Sequence, residues 1–315
     1  MSASAIDRRI RSLRPPKARS DPYTAHGSLL EEERRPGGRI ERALTVFLSG
    51  AECPFTCSFC DLWRFTIDGP TPPGALTTQL GKVLDTLDGP VPDRLKLYNA
   101  SNFFDERAVQ PEDLAGIAKL AAPFAAVTVE SHASTIGPKT LAFAQRIRGR
   151  LEVAVGLETI HPVAAVQLNK RLDLARFDLA AGFLSENGID LRAFVLLGTP
   201  YVPVRESIAW TVRAVEYAVD RGASIVSIIP VRGGNGEMER LQALGEFTPP
   251  TLSQLEDALD LCSHITTAVV MVDPWDLERL PACEHCRNER IERLRRLNQS
   301  GSARPRIVCR ACESE

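Results

Sequence analysis

From Leu44 onward, short β-branched or apolar runs alternate with longer amphipathic segments, and this alternation constrains the fold more than any other feature. It is the signature of repeated βα units and a mainly parallel sheet. The spacing predicts strands from Leu44 to Ser49, Arg94 to Tyr98, Ala126 to Glu130, Leu151 to Leu157, Leu191 to Leu197 and Ser224 to Ile229. Helices are predicted near Thr77 to Leu87, Pro111 to Ala121, Pro138 to Arg148, Arg176 to Asn187, Val204 to Arg221 and Ser253 to His264. Pro111 and Pro138 suit a first helical turn, while Gly188 and Gly222 suit the residue just past a helix end. A further apolar run, Thr267 to Val272, reads as a seventh or a flanking strand. The expected architecture is α/β: a partial, open TIM barrel of about six βα units with a small C-terminal four-cysteine metal-binding module. Residues 1–42 read as a basic N-terminal arm, 43–278 as the barrel and 279–315 as the metal-binding module. In such a barrel the C-terminal strand ends gather at one rim, so functional residues should follow strands.

The chain is 44% hydrophobic and 25% charged, with no apolar run approaching the roughly 18 residues a membrane span needs. No membrane association is expected. Charges from Asp7 through Arg19 interrupt any secretory signal, so the expected location is the cytoplasm. In a reducing compartment the eight cysteines are better metal ligands than disulfide partners. Three fall at 53–60 and four at 283–312, while Cys262 stands alone in an amphipathic helix as a packed apolar thiol. Both basic ends carry +4 and the middle carries −10. Such ends suit a phosphate-bearing partner such as RNA, but a solvated, partly disordered arm is the favoured reading of residues 1–40.

The stretch Gly50-Ala-Glu-Cys53-Pro-Phe-Thr-Cys57-Ser-Phe-Cys60-Asp-Leu-Trp63 contains CxxxCxxC directly after the first predicted strand. Three thiolates satisfy three of the four irons of a cubane and leave one open, whereas a cluster used only for electron transfer normally has four protein ligands. Zinc, the alternative occupant, takes four ligands and prefers paired CxxC elements. This spacing, with an aromatic between the last two cysteines, resembles the radical S-adenosylmethionine (SAM) superfamily. The resemblance implies a 4Fe-4S cluster on Cys53, Cys57 and Cys60, with SAM bound to the open iron through its amino and carboxylate groups. Reductive cleavage of SAM would then give methionine and a 5′-deoxyadenosyl radical that takes hydrogen from an unreactive carbon. Phe59 is implied near the adenine.

Three later elements carry the resemblance further. Leu97-Tyr-Asn-Ala-Ser-Asn-Phe-Phe-Asp105 stands where the superfamily usually has a Gly-Gly-Glu-type loop for the SAM amino group. The glycines are missing, which leaves backbone contacts by Asn99, Ala100 or Ser101. The next two strands end in Glu130-Ser-His132 and Gly156-Leu-Glu158-Thr159. Gly-Leu-Glu-Ser/Thr at this place is similar to the branch holding the tRNA methylthiotransferases and the elongator catalytic subunit, which implies Glu158 near the SAM ribose and gives Glu130 a weaker claim. Asn169-Lys170-Arg171 follows, with Arg171 preferred over Lys170 for the SAM carboxylate. Taken together, residues 44–230 resemble the archaeosine synthase radical SAM subunit, which implies a modified tRNA nucleoside as a candidate substrate. His132 and His161 could be proton donors, although loop histidines are more often locally hydrogen-bonded. Arg232-Gly-Gly-Asn-Gly236 reads as a turn that could shape a substrate loop.

Cys283-Glu-His-Cys286 and Cys309-Arg-Ala-Cys312 are two CxxC elements whose four soft thiolates suit zinc or an auxiliary iron-sulfur cluster. Between them Arg290, Arg293, Arg295 and Arg296 surround Ile291, Leu294 and Leu297 at helical spacing, either a solvated surface helix or a basic face for RNA. The expected function is that of a radical SAM enzyme served by a reducing donor of flavodoxin or ferredoxin type. A non-catalytic iron-sulfur carrier or redox sensor, and an RNA-binding zinc protein with a degenerate enzyme domain, are the alternatives.

Overall fold

The computed structural model describes residues 3–265, 268–301 and 305–312. Within them, eight strands form one curled sheet in chain order: β1 (Gly27–Arg34), β2 (Ile40–Phe47), β3 (Arg94–Tyr98), β4 (Ala126–Glu130), β5 (Arg150–Glu158), β6 (Asp190–Leu197), β7 (Ala223–Pro230) and β8 (Val269–Val272). β1 pairs antiparallel with β2, and every later pair is parallel. The connections carry α2 (Ala75–Asp85), α3 (Pro111–Leu120), α4 (Pro138–Arg146), α5 (Pro162–Gln167), α6 (Leu174–Glu186), α7 (Val204–Asp220), α8 (Glu237–Ala243) and α9 (Leu252–Ile265). Before the sheet lies α1 (Ala3–Leu13), and after it α10 (Arg287–Ser300). This is a partial TIM barrel. Pro111 and Pro138 occupy the first turns of α3 and α4, and Gly188 (φ 64°) and Gly222 (φ 90°) take the left-handed conformation just after α6 and α7. The run predicted from Thr267 contains β8, but Thr267 itself lies outside the described residues. No described helix is long and apolar enough to cross a membrane.

Side chains alternate across each strand, and the two faces of this sheet differ in kind. Outward residues such as Leu95, Leu97, Val127, Val129, Val153, Val155 and Val195 pack beneath the helices in the main core, which also buries Cys262. The lumen instead holds an ionic lattice. Arg192 binds Glu33 (2.5 Å) and Glu152 (2.9 Å), Arg35 binds Glu33 (3.0 Å) and Glu152, Lys96 binds Glu31 (2.7 Å) and Glu33 (2.8 Å), and Arg94 binds Glu41 (3.0 Å). Four carboxylates thus meet four cations. Charges taken out of water are tolerated only when so paired, because a lone buried ion keeps its desolvation penalty.

The expectation of a solvated arm over residues 1–40 is corrected here. Glu31 and Glu33 make the sequence of β1 look like surface, yet they point into the lumen to neutralise Lys96 and Arg192. β1 is polar because its partners are charges. Neither reading of α10, a solvated surface helix or a basic face, holds for all four arginines: Arg290 and Arg293 are buried on Glu256 and Asp260 of α9, while Arg295 and Arg296 pair with Glu278 and Glu292.

Burial alone would raise the Glu152 pKa, but Arg192, Arg35 and Arg94 overcome it and pull the carboxyl down to about 2. Glu33 is likewise held well below its ordinary value, with burial opposed by Arg192 and Lys96. The stability these depressed groups provide is complete above the ordinary carboxylate pKa of 4.5 and is lost as pH falls from there toward about 2. Denaturation midpoints followed against pH should drop through this window. Glu152→Leu, which leaves Arg35 and Arg192 to share Glu33 and so leaves buried positive charge under-compensated, should cost about 3–5 kcal/mol and flatten that acid dependence.

Candidate active site

The cysteine loop leaves the end of β2 and is held from three sides by buried asparagines. Asn102, after β3, donates to Cys53 Sγ (3.4 Å) and accepts from the His132 N–H (2.8 Å). Asn169, after α5, donates to Thr56 O and Thr56 Oγ1 (2.9 Å each). Asn235, after β7, donates to Ser58 O (2.8 Å) and Cys60 O (3.2 Å) while accepting from Met238 N (2.8 Å). Ser58 N adds a bond to Leu168 O (2.9 Å). The loop therefore cannot shift without breaking contacts to three βα connections. Burial pushes the Cys57 thiol up to about 12 and the Cys53 and Cys60 thiols upward as well. Three half-buried sulfurs in one pinned loop fit a cationic metal cluster, whose binding displaces thiol protons.

Opposite the loop stand the ends of β3, β4 and β5. Glu130 Oε1 accepts from Asn99 N (2.9 Å) and Ala100 N (3.2 Å), and burial pushes its pKa up to about 7. Glu130 thus buttresses the loop after β3, where Ala100 is left-handed (φ 52°). With those N–H groups engaged, Asn99 and Ala100 can offer a ligand their carbonyl oxygens. Asn99 Oδ1 and Nδ2, Ser101 Oγ and Glu158 Oε2 are buried without a protein partner. Leaving such atoms unpaired costs about 1–3 kcal/mol each, so several together mark a place for a polar ligand.

Glu158 ends β5 at a register shift with φ 66°. Its Oε1 binds Lys170 Nζ (2.6 Å). A Cβ on Gly156 would overlap Glu158 Oε1 and lie 2.5 Å from Lys170 Nζ, so only glycine leaves room for this pair. Burial opposes the charge on Lys170, but Glu158, Cys57 and Cys53 overcome it and raise the pKa. Lys170 is therefore the cation that faces the cysteine loop. Arg171, the residue preferred from sequence, is half-exposed and bound to Asp7 of α1. The left-handed backbone at Asn169 (φ 56°) and Arg171 (φ 59°) sets which neighbour turns inward.

The remaining candidates are placed as follows. Phe59 packs beside Leu168, Leu196, Val231 and Met238. His132 stacks on Phe55 (4.2 Å), accepts from Ser134 N at Nδ1 (3.1 Å) and lies 3.2 Å from Lys170 O through Nε2. Burial and the Lys170 charge pull its pKa down to about 4, so it is a neutral brace that donates from Nε2. His161 accepts from Ala164 N (3.1 Å) and caps α5. α1 lies against the same rim: Asp7 accepts from Thr56, Asn169 and Arg171, Arg9 binds Glu237 (2.9 Å) and Arg14 binds Glu52 (2.8 Å). Asn102, Asn235 and Asp7 had no functional reading in the sequence, although both asparagines lie inside the elements singled out above.

No protein-family description and no curated protein matches the sequence. Solved structures do. Methanocaldococcus infernus Elp3, with its N-terminus deleted, is similar at TM-score 0.51 and 14% identity over 65% of this chain and 52% of that one, so this chain spans about half its length. A radical SAM methyltransferase from Sphaerobacter thermophilus gives TM-score 0.51 and 13% identity over 82% of this chain and 76% of its own. A spore photoproduct lyase with a dinucleoside spore photoproduct gives 0.52 and 11% over 71% and 75%. At these identities the likeness is one of fold: the chain has the partial-barrel fold of radical SAM enzymes.

Asn235→Ala removes both side-chain bonds to the cysteine loop, a loss on the order of 1–3 kcal/mol in local order. Reconstituted protein should then retain less iron and sulfide per chain after gel filtration than wild type. Equal retention at equal secondary structure would show that the asparagines do not hold the loop.

Proposed function

We propose that this protein is a radical SAM enzyme whose cluster sits on Cys53, Cys57 and Cys60. The observation carrying this reading is the pinned three-cysteine loop facing buried, partnerless polar atoms of Asn99, Ser101 and Glu158 beside the Lys170 cation. When bound, the 4Fe-4S cluster would supply the electron that cleaves SAM to methionine and a 5′-deoxyadenosyl radical, which abstracts hydrogen from the substrate.

The chain's own residues bind and orient. Lys170 takes the SAM carboxylate in place of Arg171, carbonyls of Asn99 and Ala100 accept from the amino group, and Glu158 Oε2 accepts from a ribose hydroxyl. Phe59 flanks the adenine. A cavity of about 370 Å³ bordered by Arg11, Arg14, Arg107 and Cys53 reaches the loop from outside. Arg14 is spent on Glu52, but Arg11 and Arg107 are exposed, which offers an acidic flavodoxin- or ferredoxin-type donor a cationic approach. The substrate we favour is a modified nucleoside of tRNA, on the strength of the motif resemblance. For the C-terminal cysteines, a group able to hold a metal, zinc is our reading.

Anaerobic reconstitution with iron, sulfide, reductant and SAM should yield 5′-deoxyadenosine, and Cys57→Ala should abolish it. Fully reconstituted, folded protein that neither binds SAM nor changes its cluster's electron paramagnetic resonance spectrum on SAM addition would favour the electron carrier and end this reading. Gly156→Ala should weaken SAM binding about tenfold or more by displacing the Glu158–Lys170 pair, with iron content unchanged. Equilibrium dialysis beside iron analysis reads both.

A further inference from the structure

The sheet is not closed by hydrogen bonds: β1 and β8 are its two edges. α10 packs against both, and against α9. The Asn298 side chain accepts from Val272 N (2.9 Å) and donates to Val272 O (2.7 Å), so an amide on the helix occupies the free edge of β8 as a neighbouring strand would. Arg34, the last residue of β1, donates to Val270 O of β8 (3.3 Å). Gly301 ends α10 at φ 64°, where a Cβ would stand 2.5–2.6 Å from the Arg34 side chain. Helix, asparagine and arginine together fill the seam.

α10 has little apolar surface with which to hold this place. Ile291 and Leu294 are buried and Leu297 half-buried against the core, but Arg290 on Glu256 and Arg293 on Glu256 and Asp260 share that inner face, and buried ion pairs are weak net contributors to stability. Its anchor is at the start. Cys286 is its N-cap and Cys283 lies one turn before, while Cys309 and Cys312 return to the same point from beyond its far end. The four sulfurs lie within 4.8 Å of one another, with Cys286 and Cys312 at 3.7 Å. A tetrahedral ion with bonds of about 2.3 Å holds its sulfurs about 3.8 Å apart. A cubane seats each thiolate on a different iron and spreads them farther. Arg290 Nε donates to Cys286 Sγ (3.1 Å), which offsets the charge of a four-thiolate site and links it to Glu256.

We propose that Cys283, Cys286, Cys309 and Cys312 hold one tetrahedral soft divalent ion, zinc by its donor set, and that this ion fastens α10 as the wedge closing the barrel between β1 and β8. The inference rests on the zinc reading of these cysteines and is independent of the SAM reading. Zinc has no redox chemistry, so the site acts on access to the lumen and not on electron supply.

The test compares reconstituted full-length wild type with Cys309→Ser/Cys312→Ser and Asn298→Ala, by metal and sulfide analysis and by amide hydrogen exchange. Wild type should carry one zinc per chain, and the double variant should lose it while keeping iron and sulfide. In that variant the amides of β1 and β8 should exchange about tenfold faster, with those of β4 and β5 unchanged. Asn298→Ala should loosen β8 with zinc retained, which keeps the test decisive if the double variant does not fold. Loss of iron and sulfide instead of zinc would overturn the mononuclear site. Zinc loss with unaltered exchange at β1 and β8, or Asn298→Ala without effect, would overturn the wedge. Neither readout involves SAM cleavage, so absence of 5′-deoxyadenosine leaves the test standing.

Discussion

Four carboxylates and four cations inside one barrel tolerate neither water nor a missing partner. Glu33 is shared by Arg35, Lys96 and Arg192, so β1 must lie beside β2 in a register that sends Glu31 and Glu33 inward. A one-residue slip would turn both outward and leave Lys96 a buried, uncompensated charge. The ion lattice thereby fixes the edge strand and fills the floor of the lumen, which leaves the rim for chemistry.

At that rim, rigidity comes from amides. The cysteine loop carries no regular structure, yet Asn102, Asn169 and Asn235 tie it to three separate βα connections. Neutral side chains suit this place, because they add no charge beside three clustered sulfurs. Lys170 and Glu158 bring charge to the same rim, and they neutralise each other.

Strands β2 to β7 were legible because their outward aliphatic residues recur with period two beneath amphipathic helices. β1 was not, since Glu31, Glu32 and Glu33 look like solvated surface unless the lumen charges are known. The same failure affected α10: Arg290 and Arg293 read as part of a solvated or a basic face, although Glu256 takes both. For the site, CxxxCxxC stands out in the sequence because thiolate number and spacing alone suggest a chemistry. That Lys170 meets Glu158 while Arg171 meets Asp7 was not legible, because it depends on the left-handed backbone at Asn169 and Arg171. Asparagine carries no chemistry of its own, so the three pins could be recognised only from their partners.

The position of α1 has a consequence for the order in which the molecule assembles. Its residues precede the sheet in the chain, but Asp7 is satisfied by Thr56, Asn169 and Arg171, Arg9 reaches Glu237, and Gly236 lies so close that a Cβ there would overlap Leu13 O. Those partners lie as much as 228 residues further along the chain, and closing contacts of such separation costs the most chain entropy. The cover that α1 lays over one side of the cysteine loop is therefore complete only once β7 and the turn after it are in place.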